Sequence, residues 1–274
     1  MMKGRMLSKT ICVCGAVACL LMNSVTALAS DTSASVIRLE QITGTVKVTD
    51  SAGNPSQIID KMRLNNEDDV NTFAKSYAYI SLDASKAVKM DAKSEAHVKK
   101  NKKKYELVLD SGNLIFDVSS PLQSSESMQI KTTNMTMGIR GTCAQVQKVS
   151  KNFTRICLLD GTLDVTVKDP DSGKSQSVVL NPGDAADCLT GEIYGGCTIN
   201  VGKVVFGDLR GFALQHLLTH PDTCQRIYEQ SGLDFRNLTQ QQVNDRLSND
   251  EVQNLVPASG ATKDYDGNTT TGGG

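Results

Sequence analysis

The sequence predicts a mainly β protein, an antiparallel β-sandwich or a β-roll of the double-stranded β-helix type, carrying a small helical C-terminal appendix. Three observations lead there. From Val36 to about Ile199, apolar residues recur at every second position in short runs, the signature of strands that give one face to a core. Turn chemistry closes those runs at regular intervals. After Lys203 the apolar spacing changes to that of a helix.

The elements follow in order. Lys3, Arg5 and Lys9 precede an apolar run from Ile11 to Met22, and Ala27-Leu28-Ala29 has the small residues of a signal-peptidase site. Export with cleavage before Ser30 is expected, so residues 1–29 are read as a signal peptide. Val17-Ala18-Cys19 is an imperfect lipobox that leaves lipidation of Cys19 open. In the β-region, 30–200, alternation marks Val46 and Val48, then Ala78, Ile80 and Leu82, then Leu114, Phe116 and Val118, then Leu163, Val165 and Val167. Turns are written by Ala52-Gly53-Asn54-Pro55, Asp110-Ser111-Gly112-Asn113, Asp160-Gly161, Asp171-Ser172-Gly173 and Asn181-Pro182-Gly183. "LVLDSGNLIFDV" and "ICLLDGTLDVTV" echo one another 50 residues apart.

The appendix, 201–257, begins with one or two helical turns carrying Phe212, Leu214, Leu217 and Leu218. Pro221 suits the start of a second helix that ends at Ser231-Gly232. Thr239 with Gln242, and Ser248 with Glu251, form capping-box pairs that predict two further short helices. The tail, 258–274, is expected to be disordered.

Composition excludes several functions. The 274 residues carry 29 basic and 30 acidic groups. Residues 1–29 hold three of the basic groups and none of the acidic, so the remainder counts 26 against 30, a net charge of −4. General binding to nucleic acid or to an anionic membrane is therefore not indicated. Aromatics make up 4% and tryptophan is absent, which argues against a stacking-rich carbohydrate or single-strand surface. No cofactor is implied.

Of eight cysteines, Cys143, Cys157, Cys188, Cys197 and Cys224 lie beyond the signal. An oxidising compartment favours disulfides over a metal site. Strand parity sets Cys143 and Cys157 on one outward face and nearly opposite one another, so a cross-strand bridge is expected. Cys188 and Cys197 bracket a glycine-rich loop and form a second candidate pair, with Cys197–Cys224 as rival; in the first scheme Cys224 is free.

Five sites are candidates for chemistry. In "GIRGTCAQV", residues 138–146, Arg140 between two glycines is either an anion cradle or a strand corner paired to Asp83 or Asp160, and the corner is preferred because a β-branched strand follows rather than a helix. Cys143 has no histidine near it in sequence to act as a base. His216, His220 and Cys224 fall four apart, a metal-ligand spacing that Pro221 interrupts, so no metal is expected and surface histidines are the simpler account. Lys99, Lys100, Lys102, Lys103 and Lys104 make the strongest charge run, either an acidic-polymer site or a solvated, edge-protecting hairpin tip. Glu67, Asp68 and Asp69 cluster at a turn, where calcium is the ligand to test.

Seven blocks in this order, "GTVKV", "DDVNT", "SYAYISLD", "LVLDSGNLIFDV", "GIRGTCAQV", "LLDGTLDV" and "LNPGDAA", resemble the FecR family of exported bacterial domains over about 35–187. Arg140-Gly141-Thr142 is the most diagnostic block. Departures are Glu67 and Ala84, where the family commonly has glycine, and Ala144, where a large aromatic is common. The resemblance implies a non-enzymatic binding or scaffolding module of the cell envelope or extracellular space, meeting an envelope protein or polymer. Its alternative is a sensory protein that passes an extracytoplasmic signal to a membrane partner, as in sigma-factor regulation of iron uptake. The cytoplasmic anti-sigma segment and transmembrane helix of the founding members are not expected here, nor is a membrane span after signal cleavage.

Overall fold

A computed structural model describes residues 36–255; the signal-peptide and tail readings lie outside the described residues. The protein is mainly β, as the alternation predicts. Its strands build two sheets that share a core.

The first sheet runs in the order β1 (Arg38–Thr43), β6 (Tyr77–Asp83), β7 (Lys86–Met90), β9 (Lys104–Val118), β12 (Cys143–Ser150), β13 (Phe153–Asp160), β16 (Asp184–Gly191) and β17 (Gly196–Lys203), with β4 (Met62–Arg63) flanking β1. The second runs β3 (Pro55–Ser56), β2 (Val46–Thr49), β5 (Asp69–Thr72), β8 (Glu95–Asn101), β9 again, β10 (Ser127–Lys131), β11 (Met135–Ile139), β14 (Leu163–Lys168) and β15 (Ser175–Leu180). The long β9 belongs to both, its N-terminal half to the second sheet and its C-terminal half to the first. Pairing is antiparallel except for β9 with β10, which is parallel.

Alternation works as expected. Along β6 every second residue is buried, and Ala78, Ile80 and Leu82 meet Val48, Val70, Leu107, Ile130 and Val165 in the core between the sheets. Strands β12, β13 and β16 depart from the pattern: they are buried in nearly unbroken runs. The reason is a second core on the outer face of the first sheet. There Ile115, Cys143, Cys157, Leu159 and Ala185 pack against Leu209, Phe212, Leu214, Leu217, Ile227 and Val243 of the C-terminal segment. Each such Leu, Ile or Phe contributes about 1.5–3 kcal/mol of transfer free energy.

Three helices supply that cover: α1 (Gly211–Leu218), α2 (Pro221–Ser231) and α3 (Gln240–Leu255). Pro221 opens α2 and Gly232 closes it in a left-handed cap, as the sequence indicates. The Thr239–Gln242 box forms, with the Thr239 backbone N–H donating to Gln242 Oε1 at 2.9 Å and the Gln242 N–H donating to Thr239 Oγ1 at 3.3 Å. Ser248 caps nothing: it lies inside α3, one helix where two were expected. Val243 and Leu247, four apart on the face toward the second core, carry α3 past it.

Candidate functional site

The Arg140 corner joins β11 to β12 and turns the chain from one sheet to the other. Gly141 adopts φ +70° and stands against Gly161, whose φ is +73°; a Cβ on Gly161 would lie 2.0 Å from the Gly141 carbonyl oxygen. Arg140 points away, half-paired at the surface with Asp164 at 3.1 Å, not with Asp83 or Asp160. Asp83 holds Lys86 instead. An exposed ion pair of this kind is worth at most about 1 kcal/mol.

The polar centre of the molecule lies one strand deeper. Cys143 stands opposite Asp117 on β9 and opposite Asp160 on β13, so both carboxylates reach the helix-covered face beside it. Arg226 of α2 enters from above and bonds both, Nη2 to Asp117 Oδ1 and Nε to Asp160 Oδ2, each at 2.5 Å. Thr223 donates to Asp117 Oδ2 at 2.7 Å, His216 Nε2 approaches the same oxygen at 3.4 Å, and the Cys143 N–H donates to Asp160. Burial opposes the charge on Asp117, but the bonds from His216 and Thr223 and the Arg226 charge outweigh it and bring its pKa to about 2. At Asp160 burial prevails over the same arginine and pushes the carboxyl up. One guanidinium serving two buried carboxylates has this consequence: the better hydrogen-bonded group holds the charge more firmly.

A second tie fixes the segment before α1. Arg155 grips Asp187 with Nε and Nη2 at 2.7 and 3.1 Å and reaches Asp208 at 3.3 Å. Gln145 and Gln147 donate to the Asp208 carbonyl, and Arg210 pairs with Asp91 at 2.8 Å.

Beside this anchored layer, between β1, β6, β7 and α1, a groove of about 720 Å³ opens. Glu40, Gln41, Tyr77, Tyr79, Lys89, His216 and His220 line it. His216 and His220 stack with centroids 4.0 Å apart, and Tyr79 stacks on both. The His216 carbonyl can only accept, so His220 Nδ1 carries its hydrogen at 2.7 Å, and Nε2 lies 3.3 Å from the Tyr79 hydroxyl. His216 is 2% exposed, its pKa is lowered by burial, and its Nδ1 has no hydrogen-bond partner among the described residues. Lys89 donates to Phe212 O and Gln215 Oε1, and burial brings its pKa down to about 8. The groove thus offers aromatic faces, an amine and imidazoles.

Several expectations are corrected. All five cysteines of the described region are free. Two bulges, between Lys148 and Ser150 and between Cys143 and Ala144, set Cys143 opposite Asp160 and leave Cys157 opposite Gln145. Parity is as argued, but the outward face is the second core, which shields both thiols from solvent. Cys188 lies opposite Ile199 and Cys197 opposite Thr190, so that pair is also offset. Burial and the two carboxylates push the Cys143 thiol well up, the reverse of an activated nucleophile. His216 is not a surface histidine, and His216, His220 and Cys224 do not converge: they face Asp117, Tyr79 and the Leu217 carbonyl in turn.

Lys99–Lys104 is a hairpin tip, with Lys102 in the left-handed region; β8 pairs with β9 along this stretch and with β5 only as far as His97, while β9 pairs with β10 on its other side. Lys99 meets Glu67 at 3.6 Å, Lys100 covers the Tyr105 ring, and Lys102, Lys103 and Lys104 are exposed. Glu67 takes φ +65°, a conformation that favours the glycine it replaces, whereas Ala144 is wholly buried in the first core. Sequence reasoning passed over Arg226, Thr223, Asp117, Tyr79 and Lys89. Asp117 is a polar residue between Phe116 and Val118, a position that alternation assigns to solvent.

No curated protein matches the chain. Two crystal structures of a candidate anti-sigma factor from Parabacteroides distasonis, at 1.65 and 2.50 Å resolution, align with TM-scores of 0.42 and 0.43 at 10% identity, covering 59% of this chain and 75% of theirs. The family model described as FecR protein matches residues 68–164, a span from Asp68 before β5 to Asp164 in β14 that includes the Arg140 corner, Asp117, Cys143 and Asp160. Over residues 68–164 the chain is thus similar to the FecR protein family.

Proposed function

We propose that the chain is a non-catalytic regulatory module that recognises a protein partner outside the cytoplasm and passes that signal on. The similarity to the FecR family over 68–164 carries the reading. Two features support it. The nucleophile and base candidates are locked in a buried, ion-paired layer, and the open groove beside α1 presents side chains suited to a protein surface. A protein partner is favoured over an acidic polymer because residues 30–274 carry a net charge of −4 and Lys99 of the lysine run is paired with Glu67. Among the described residues no helix is long and apolar enough to cross a membrane.

Deleting the gene should change a confined set of transcripts. Wild type and Cys143→Ser should restore them, and a Tyr79→Ala/His220→Ala double variant, still folded by circular dichroism, should not. Turnover of a substrate that depends on Cys143 or His216 would overturn the reading. Export is tested separately: the mature chain should begin at Ser30 by N-terminal sequencing, and an unprocessed cytoplasmic chain would refute it.

A further inference from the structure

We propose that Asp69, His97 and Asp110 form a site for a borderline divalent cation of the Zn²⁺ class on the outer face of the second sheet. The inference goes beyond the regulatory reading and does not depend on it.

Three adjacent strands bring the residues together. Asp69 on β5 stands directly opposite His97 on β8. On β9 the register jumps, so that Ala96 faces Leu109 and Glu95 faces Ser111. Asp110 is the extra residue of that bulge, and a bulge re-aims a side chain that regular pleating would place otherwise. His97 Nδ1 ends 3.4 Å from Asp69 Oδ1 and 3.1 Å from Asp110 Oδ2. Ligand atoms of all three lie within 4.8 Å of one another.

That convergence is poorly satisfied by the side chains alone. A ring nitrogen carries at most one hydrogen, so Nδ1 cannot donate fully to both carboxylates, and two negative groups face one point. Lys148 is close, but its ammonium is directed to the Asp110 backbone carbonyl and to Thr133 Oγ1. A tetrahedral ion with ligands at about 2.1 Å needs donors about 3.4 Å apart, close to the two spacings between His97 and the carboxylates. One imidazole with two carboxylates suits Zn²⁺ better than the hard cations Ca²⁺ or Mg²⁺, which prefer oxygen alone. The calcium reading of the acidic triplet does not hold together, because Asp68 turns inward to accept from the Asn65 N–H and Glu67 meets Lys99. The three ligands are partly exposed, which leaves coordination positions open to water or an anion.

The test is a titration of the full chain, stripped with EDTA, with ZnCl₂ and in parallel with CaCl₂. One equivalent of Zn²⁺ should shift the His97 imidazole ¹⁵N resonances, and Asp110→Asn should weaken that response about tenfold or more. Asp110 is exposed, so this isosteric change keeps the fold, as melting in EDTA verifies. His97→Ala should abolish any Zn²⁺-dependent rise in melting temperature, and a His216→Ala/His220→Ala variant should retain it. No shift at His97 with Zn²⁺, an unchanged response in Asp110→Asn, or Ca²⁺ acting as strongly as Zn²⁺ would each overturn the proposal.

Discussion

Cys143, Cys157, Cys188 and Cys224 share one physical situation: burial raises each thiol, with Cys157 and Cys188 reaching about 12 and Cys224 about 11. The folded state therefore holds these protons to higher pH than the unfolded chain, whose thiols titrate near 9.0. Their contribution to stability is complete below pH 9 and is lost as pH rises toward 12. Tyr77 and Tyr79, raised by burial from 10.0 to about 12, add to the fall above pH 10. Lys89 pulls the other way between about 8 and 10.5, but it is one group against six. Urea midpoints should drop steeply between pH 9 and 11, and Tyr79→Phe should flatten part of the drop. In the native chain at neutral pH a thiol reagent should modify Cys197 first among the five, because it alone is not buried; rapid labelling of Cys143 would contradict the second core. The Asp117–Arg226–Asp160 bridge gives a separate expectation. Arg226→Met leaves two buried carboxylates facing each other without a counter-charge and should cost about 3–5 kcal/mol in chemical denaturation. Asp160→Asn in that background should recover part of the loss.

At the scale of elements, the sheet-to-sheet turns carry the strictest backbone demand. Gly161→Ala meets both a left-handed φ of +73° and the Gly141 carbonyl at 2.0 Å, whereas Gly173→Ala meets a φ of +70° and nothing within 4 Å. The second should cost about 1 kcal/mol and the first clearly more, a difference that equilibrium unfolding of the two variants resolves. The contrast also marks what a sequence can reveal. Asp160-Gly161 and Asp171-Ser172-Gly173 read alike as turns, and only the packing of two corners against one another separates them. Strand positions such as Ile80, Phe116 and Val165 were legible because alternation records which face is apolar. Register was not, since the bulges at Lys148–Ser150 and in β9 each shift a partner without altering composition. Those shifts moved Cys143 off Cys157 and brought Asp110 to His97. The buried carboxylates were illegible for a related reason: an aspartate on the outer face of a strand reads as solvated unless a helix from elsewhere in the chain covers it.

Across the whole molecule, the helices and the sandwich share one apolar cluster although their sequence patterns divide near residue 200, so they should unfold as one cooperative unit. The first sheet has no water-ready outer face at β9, β12 and β13: Ile115, Cys143, Cys157 and Leu159 lie in a cluster with Leu209, Phe212, Leu214, Leu217, Ile227 and Val243 of the C-terminal segment. A chain ending at Lys203 would expose that apolar strip and strip Asp117 and Asp160 of Arg226 at the same time. Losing the burial of four large apolar side chains alone removes roughly 6–12 kcal/mol, comparable to the whole stability of an ordinary domain. The truncated chain should aggregate or lack a cooperative melt. A chain ending at Gly232 provides the control: it keeps α1, α2 and the Arg226 bridge and gives up Val243 and the rest of α3, so it should fold with a lower midpoint. If the chain ending at Lys203 instead melts cooperatively in solution, the helices are an accessory to an autonomous sandwich, and the groove beside α1 becomes a boundary between separable parts rather than a cleft in a single body.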